Sequence, residues 1–557
     1  MSGAVLAFWG QHAPVLSVLL PSFTAVALLL LGDQGGLSPQ GGGHEGQRLA
    51  WRRRLSFASA LLGLVMAAAL VARASSGELQ VYELGEWPAP FGIVLVLDRL
   101  SALMVLLTYA VAVPVLAYAC GGWDTHGRHF HTIFHFQLMG LSGAFLTGDL
   151  FNLFVFFEVL LIASYVLLLH GRGGARLRMG VHYVVLNLTA SSLFLIGLAM
   201  LYAVTGTLNM ADAALKVAAL QGQELRLAQS AALVLLVVFG LKAALVPLYF
   251  WLPGTYAAAS APVAALFAIM TKVGVYAIVR VHWVIFGIDA GQASLTVQPW
   301  LLPAALLTSV LGVLGALAAH TLSRLVANLT VSSVGTIVAG VALFTPQALS
   351  AALYYTLHST VVMAGLFLFV ELAAAQRGVT GDRLQPAPQV HEPVLLGVMM
   401  LFGAASAAGL PPLPGFLGKV MLLQSAADLV ARVWVWTVVL GVGFLTLLGL
   451  ARAGIILFWH VQPADGANPA GRSARLLAAP WLFMGMTVAL AAAAGPVKAY
   501  TDALAQQITD KRGYAGVVLA RQGGPDQPTT RPYDGRRAPT APAAAPSAPD
   551  TRQEHRP

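Results

Sequence analysis

Charge is scarce in this chain. Asp, Glu, Lys and Arg make up 10% of its 557 residues, against roughly 25% in soluble domains. Hydrophobic residues make up 58%, and the mean hydropathy is +0.75. The excess of basic over acidic residues lies largely in loops and the C-terminal tail, which argues against a nucleic-acid partner. Cysteine is nearly absent. Cys120 stands alone, excluding an internal disulfide, a cysteine-based metal cage and an iron–sulfur cluster. No G-x-x-x-x-G-K-S/T phosphate loop occurs, so ATP does not drive the protein directly, and no G-x-G-x-x-G follows a plausible strand. The chain is expected to hold no cofactor and no metal, and to draw its energy from an ion gradient or a partner subunit.

What the sequence has in abundance is apolar runs of about 20 residues, the length that crosses ~30 Å of hydrocarbon. They predict an all-α polytopic membrane protein in the lipid bilayer, with about 14 transmembrane helices. The runs lie near 14–32, 55–73, 97–120, 129–148, 150–169, 180–204, 229–252, 262–287, 299–319, 325–345, 349–375, 394–427, 431–458 and 474–497. The opening MSGAVLAFWGQHAP lacks the basic stretch of a signal peptide, so the first run reads as a retained helix. Arginines cluster in alternate loops, as in Arg52, Arg53, Arg54 and Arg172, Arg176, Arg178, whereas Glu78, Glu83 and Glu86 fall in the opposite set. The positive-inside rule then puts both termini on the non-cytoplasmic side. Lys511, Arg512 and the later arginines of the tail run against that assignment, but distal segments weigh little in the rule. Residues 500–520 read as a short interfacial helix and the Pro/Ala/Arg-rich 521–557 as a disordered tail.

Against this background the lysines stand out. Lys242, Lys272 and Lys419 lie inside apolar runs, and Lys216, Lys498 and Lys511 complete the set. A charge at mid-bilayer costs roughly 2.5–3.5 kcal/mol even on a lenient scale. Glu158, in FNLFVFFEVLLIASY, is the one acid placed mid-span; Asp149 sits at a span junction and Glu371 near a span end. Two lysine-bearing spans look broken. The seventh has Pro247 and Pro253 after Lys242, and the twelfth has GLPPLPG before Lys419. A proline inside a helix frees backbone groups that lipid cannot satisfy. The broken spans are five apart, and a repeat with an odd number of spans inverts in the membrane, so spans 4–8 and 9–13 fit two inverted five-helix repeats. Paired interrupted helices are the best sequence pointer to a transport site.

Burial moves carboxylates and amines toward neutrality, and close approach of the two restores both charges. A Glu158–Lys242 pair that approached and separated would switch Lys242 between holding and releasing a proton. The same two residues could instead form a static ion pair that stabilises the bundle, although one acid cannot neutralise three lysines. Lys272 has no acid nearby in sequence and suits a relay, and Lys419 takes the corresponding part in the second half. His358, in LYYTLHSTVVMAG, fits either a packed, hydrogen-bonded residue or a link between Lys272 and Lys419, since an imidazole titrates near ~6.5. His182, His282 and His320 lie nearer span ends. Arg452 reads as a snorkelling side chain, a cavity charge or a subunit anchor, and Asp98 with Ser101 as the cap of the third span.

Several segments resemble a known family. FQLMGLSGAFLTGDLFNLFVFFEVLLIASYVLLLHG, LKAALVPLYFWLPGTYAAASAPVAALFAIMTKVGVYAIVRV and GLPPLPGFLGKV are similar to the D subunits of the Mrp/Pha-type multisubunit monovalent cation/proton antiporters. The resemblance runs from about residue 80 to 520. Antiporter-like subunits of respiratory complex I and of membrane-bound hydrogenases share that fold. It implies 14 helices with the two inverted repeats, and a domain order of N-terminal helices in 1–128, a first repeat in 129–287, a second in 299–458, and a last helix with a short amphipathic segment in 474–520. It implies that Glu158, Lys242, Lys272 and Lys419 match the family's essential glutamate and lysines. Its setting is the bacterial cytoplasmic (inner) membrane, in a hetero-oligomeric complex that exchanges protons for Na⁺ or K⁺. Two departures matter. Met363 stands where relatives often carry a lysine five residues after the histidine, and the tenth span lacks a histidine or polar pair placed there in some relatives. Both leave His358 and water as the link between half-channels, and they lean toward the Pha-type branch associated with potassium. The second reading is the proton-pumping arm of a complex I-like oxidoreductase or hydrogenase. Against it, no lateral helix is read after the last span. A third is a structural subunit whose charges only hold partners.

Overall fold

The computed structural model describes residues 3–32, 43–171, 173–462 and 474–522; Arg172 and the tail from 523 onward lie outside the described residues. The helices run α1 Gly3–Leu30, α2 Gly43–Ala74, α3 Arg99–Ala119, α4 Phe130–Leu146, α5 Leu150–Leu169, α6 Gly174–Thr205, α7 Met210–Ala218, α8 Gly222–Ala243, α9 Trp251–Ala258, α10 Ala261–Phe267 and α11 Met270–Val279. They continue as α12 Gln298–Leu317, α13 Leu322–Ala342, α14 Pro346–Ala375, α15 Pro393–Ala408, α16 Pro414–Ser425, α17 Leu429–Phe458, α18 Ala474–Ala492, α19 Ala494–Thr509 and α20 Lys511–Val518. Among the described residues, eleven helical segments are long and apolar enough to cross a membrane, or twelve if the pair α18–α19, bent by 76°, counts as one. The run expected at 129–148 forms the shorter α4, and the one at 394–427 splits into α15 and α16.

Helix starts follow local chemistry. Asp98 Oδ1 accepts the Ser101 N–H at 2.8 Å while Ser101 Oγ accepts the Asp98 N–H at 2.9 Å, a reciprocal cap that begins α3 as expected. Asp149 Oδ1 accepts the Asn152 N–H at 2.8 Å and starts α5 immediately after α4. Asp428 caps α17 in the same way. The second helix begins well before its apolar run, so Arg52, Arg53 and Arg54 are helical rather than loop residues.

One departure from an all-helical chain is a small hairpin. β1 Gln80–Glu83 pairs antiparallel with β2 Val94–Leu97, Gln80 opposite Leu97. All four β2 residues are buried, and the Gly148 N–H donates to Val94 O at 2.9 Å. The strand thus seals the α4–α5 junction. Its β-branched and aliphatic side chains suit such a doubly covered strand.

Every residue of 262–285 and of 325–342 is buried, so these two stretches lie in the interior of the protein. Around them α2, α6 and α17 turn apolar side chains outward, including Val65, Leu188 and Phe444. A ring of exposed aliphatic and aromatic surface is what lipid, rather than water, accepts as solvent. Small residues let this interior pack tightly. A Cβ on Gly312 would lie 2.5 Å from Ser332 N, and one on Gly335 would lie 2.4 Å from Ser309 N. Ser309 and Ser332 exchange side-chain bonds with each other's carbonyls at 2.8 and 2.9 Å. Close backbones joined by serine hydroxyls are the membrane form of helix packing.

Candidate functional site

Both expected breaks are present, and their freed backbone groups have protein partners. After α8, Ala244 is left-handed (φ 60°) and Pro247 lies in the gap. Pro253 falls in the first turn of α9, where a missing N–H costs nothing. The Val246 N–H donates to Thr308 Oγ1 at 2.9 Å, and Trp251 Nε1 donates to Leu241 O at 3.0 Å. The second break separates α15 from α16 at Gly409 (φ 84°). Irregularity also occurs where none was expected. The eighth span tightens between α10 and α11, with Ile269 N–H bonded to Leu266 O and Lys272 N–H to Ile269 O, and widens over Arg280–Ile285. Lys272 therefore follows a local change of pitch, a feature that often marks a functional hinge.

Glu158, on α5, is partly buried and accepts the Ser191 hydroxyl of α6. Lys242, in the last turn of α8, is buried and donates to Asn187 Oδ1 at 3.2 Å. Its ammonium lies 5.9 Å from the Phe157 ring centroid, a cation–π distance. Asn187 and Ser191 are one turn apart on α6, so they form a polar bridge from Glu158 to Lys242. The direct pair read from the sequence is not formed in this structure among the described residues. Four-residue spacing of an amide and a hydroxyl in an otherwise apolar span was the available signal for this bridge.

Lys272 is fully buried, and its Nζ has no hydrogen-bond partner among the described residues. Gly274 brings its helix against the first break, since a Cβ there would lie 2.5 Å from Ala243 N. Gln137 of α4 donates to Met270 Sδ at 2.9 Å, and its Oε1 is left without a partner among the described residues. Buried unpaired groups of this kind are the sites where ordered water is expected.

Lys419 donates to Ala408 O at 2.6 Å, a carbonyl at the end of α15 released by the break. His358, on α14, is buried, with Nδ1 unpartnered among the described residues. Its Nε2 faces Gly415, where a Cβ would come within 2.7 Å of it. Both Lys419 and Lys272 lie within electrostatic reach of His358. His358, Lys419 and the second break therefore lie together, with Lys272 within electrostatic reach of His358. Met363 is buried beyond them.

Other charges find partners away from this line. Arg280 Nη1 lies 2.6 Å from Asp98 Oδ2 in a fully buried ion pair that sequence reasoning missed. Arg452 donates to Leu317 O at 2.7 Å and so closes the end of α12. His282 is buried with neither ring nitrogen partnered among the described residues, whereas His182 and His320 are exposed. Cys120, Asp124 and His131 bring ligand atoms within 4.8 Å of one another. Asp124 is already engaged there by Arg53 (2.6 and 2.8 Å) and by His131 (3.2 Å). Burial pushes its carboxyl up, but the hydrogen bonds from His131 and Arg53 outweigh that and hold it at about 2.

The model of the transmembrane family described as NADH:quinone oxidoreductase/Mrp antiporter matches residues 147–448, which contain all five expected site residues. A probable K(+)/H(+) antiporter D subunit of Rhizobium meliloti is 39% identical over 546 residues, 92% of this chain and 98% of that protein. The Na(+)/H(+) antiporter D subunit of Alkalihalophilus pseudofirmus is 40% identical over 446 residues, 79% of this chain and 88% of its own. A chain in the structure of the Mrp complex from Dietzia sp. DQ12-45-1b superposes with a TM-score of 0.77 at 29% identity, covering 90% of this chain and 99% of that one.

Proposed function

The chain belongs to the NADH:quinone oxidoreductase/Mrp antiporter transmembrane family, and from that premise we propose that it is the proton-translocating subunit of a multisubunit monovalent cation/proton antiporter. The observation that carries this reading is the series of buried cations on interrupted helices, Lys242 at one break, Lys419 at the other and Lys272 between, with one acid beside the first. In an apolar interior such groups are costly unless they act. Lys242 is held by a neutral amide, so it can lose its proton without losing its place. Approach of Glu158 favours the charged form. Lys272, His358 and Lys419 then pass the proton onward, with water joining the unpaired atoms between them.

The finer architecture in this reading is 14 crossings, with α4–α11 and α12–α17 as inverted repeats and both termini on the non-cytoplasmic side of a bacterial inner membrane. Two lysine-bearing breaks at equivalent positions support it. The complex is a secondary transporter with other subunits beside this one, exchanging Na⁺ or K⁺. The redox-arm reading shares the fold, but the relatives that match across most of the chain are named as antiporter subunits. Glu158→Ala separates the readings in everted vesicles that hold the assembled complex. The proposal expects cation-dependent proton exchange to collapse, and wild-type exchange to run without NADH. Exchange that survives the substitution removes the relay, and exchange that requires NADH favours the redox arm.

A further inference from the structure

Beside the first break, α6, α9, the end of α12 and the start of α13 line an open cavity of about 760 Å³. Its charged lining is of one sign, Arg178 and Arg324, with His182 and His320 beside them and no aspartate or glutamate in the lining among the described residues. An adjoining cavity of about 540 Å³ shares both arginines. Its one carboxylate, Asp382, accepts the Ser323 hydroxyl at 2.5 Å. The other wall is apolar and open outward, with Val181 58%, Val185 57% and Phe250 50% exposed.

We propose that this cavity seats one anionic phospholipid, its phosphate between Arg178 and Arg324 and an acyl chain along Val181, Val185 and Phe250. Two arginines can grip phosphate oxygens in a bidentate manner, and basic cavities between transmembrane helices are suited to anionic headgroups. A soluble phosphate would find the same arginines, but it would leave exposed the apolar wall that is continuous with the lipid-facing surface of α6. The seat also bears on transport. Trp251 lines it and donates to Leu241 O, the peptide next to Lys242, so an occupied seat braces the first break.

The test uses the whole complex, extracted from membranes containing phosphatidylglycerol and weighed by native mass spectrometry. Wild type is expected to retain one more phosphatidylglycerol than Arg178→Ala/Arg324→Ala at unchanged subunit composition, and Arg178→Lys/Arg324→Lys to retain it in part. In titrations the double alanine variant binds phosphatidylglycerol about 30-fold more weakly, the equivalent of ~1 kcal/mol for each arginine. Equal lipid retention in wild type and the alanine variant overturns the proposal. So does displacement of the lipid by glycerol 3-phosphate at equal concentration, which would mark a soluble-phosphate site. Loss of a subunit without loss of lipid also overturns it, by marking a subunit contact. The lipid count does not depend on exchange activity, so it stands or falls separately from the antiport reading.

Discussion

Lys242 is bonded to Asn187, not to Glu158. The ammonium donates to the amide oxygen at 3.2 Å, while Glu158 accepts from Ser191 one turn further along α6. Two neutral side chains thus stand between the acid and the lysine. Asn187→Leu removes the acceptor and leaves a buried cation unpaired, which costs about 1.5–3 kcal/mol for a bond to a charged group. Cation-dependent proton exchange in everted vesicles is expected to fall about tenfold or more. Ser191→Ala, which leaves the Lys242 bond intact, is expected to have a smaller effect in the same assay.

Lys272 carries the opposite signature. A fully buried ammonium with no partner among the described residues is a burden on stability, so Lys272→Met should raise the thermal midpoint of the detergent-solubilised complex while abolishing exchange. A lower midpoint would mean that the lysine holds the bundle together and would contradict its place in the relay.

Gly274 permits the close approach of α11 to the first break. Gly274→Ala places a Cβ 2.5 Å from Ala243 N, a backbone atom that cannot yield cheaply. The α11 and α8 ends must part, and both thermal stability and exchange should drop, typically by ~1–3 kcal/mol in stability for an overpacked interior. Gly441→Ala, in open space, is the matched control and should change neither.

Asp124 gives a pH dependence outside the membrane-spanning helices. Its carboxyl is held at about 2 in the fold, with His131 and Arg53 outweighing burial, below the ordinary carboxylate value of ~3.9. A depressed carboxylate stabilises the fold fully above its unfolded value, and that contribution is lost as pH falls through the folded one. Asp124→Asn should therefore be less stable than wild type near neutrality, by roughly 1–3 kcal/mol. The difference should shrink between about pH 4 and pH 2, as followed by thermal melts across that range.

Much of this architecture was legible in the residues. Long apolar runs placed most helices within a few positions, and Pro247 with Pro411, Pro412 and Pro414 located both breaks, because lipid punishes an unsatisfied backbone wherever it occurs. What the sequence concealed follows from the same physics. The twelfth run divides because the chain turns at Gly409 (φ 84°), and α4 is short because Asp149 starts α5 almost at once after it. The change of pitch before Lys272 falls on residues 266–272, which contain no proline or glycine, so no local residue type announced it. The buried Arg280–Asp98 pair joins residues 182 apart in sequence, beyond any local pattern. Asn187 and Ser191 are neutral, so no charge in an apolar span marks the contacts they make with Lys242 and Glu158.

The central claim is that a proton passes through Lys242. Its most direct test is cation-dependent proton exchange in everted vesicles carrying the complex with Lys242→Ala, with subunit composition checked on the same membranes. Loss of exchange to the vesicle background in a fully assembled complex is the predicted result. Exchange at the wild-type rate in that assembled complex would contradict the account.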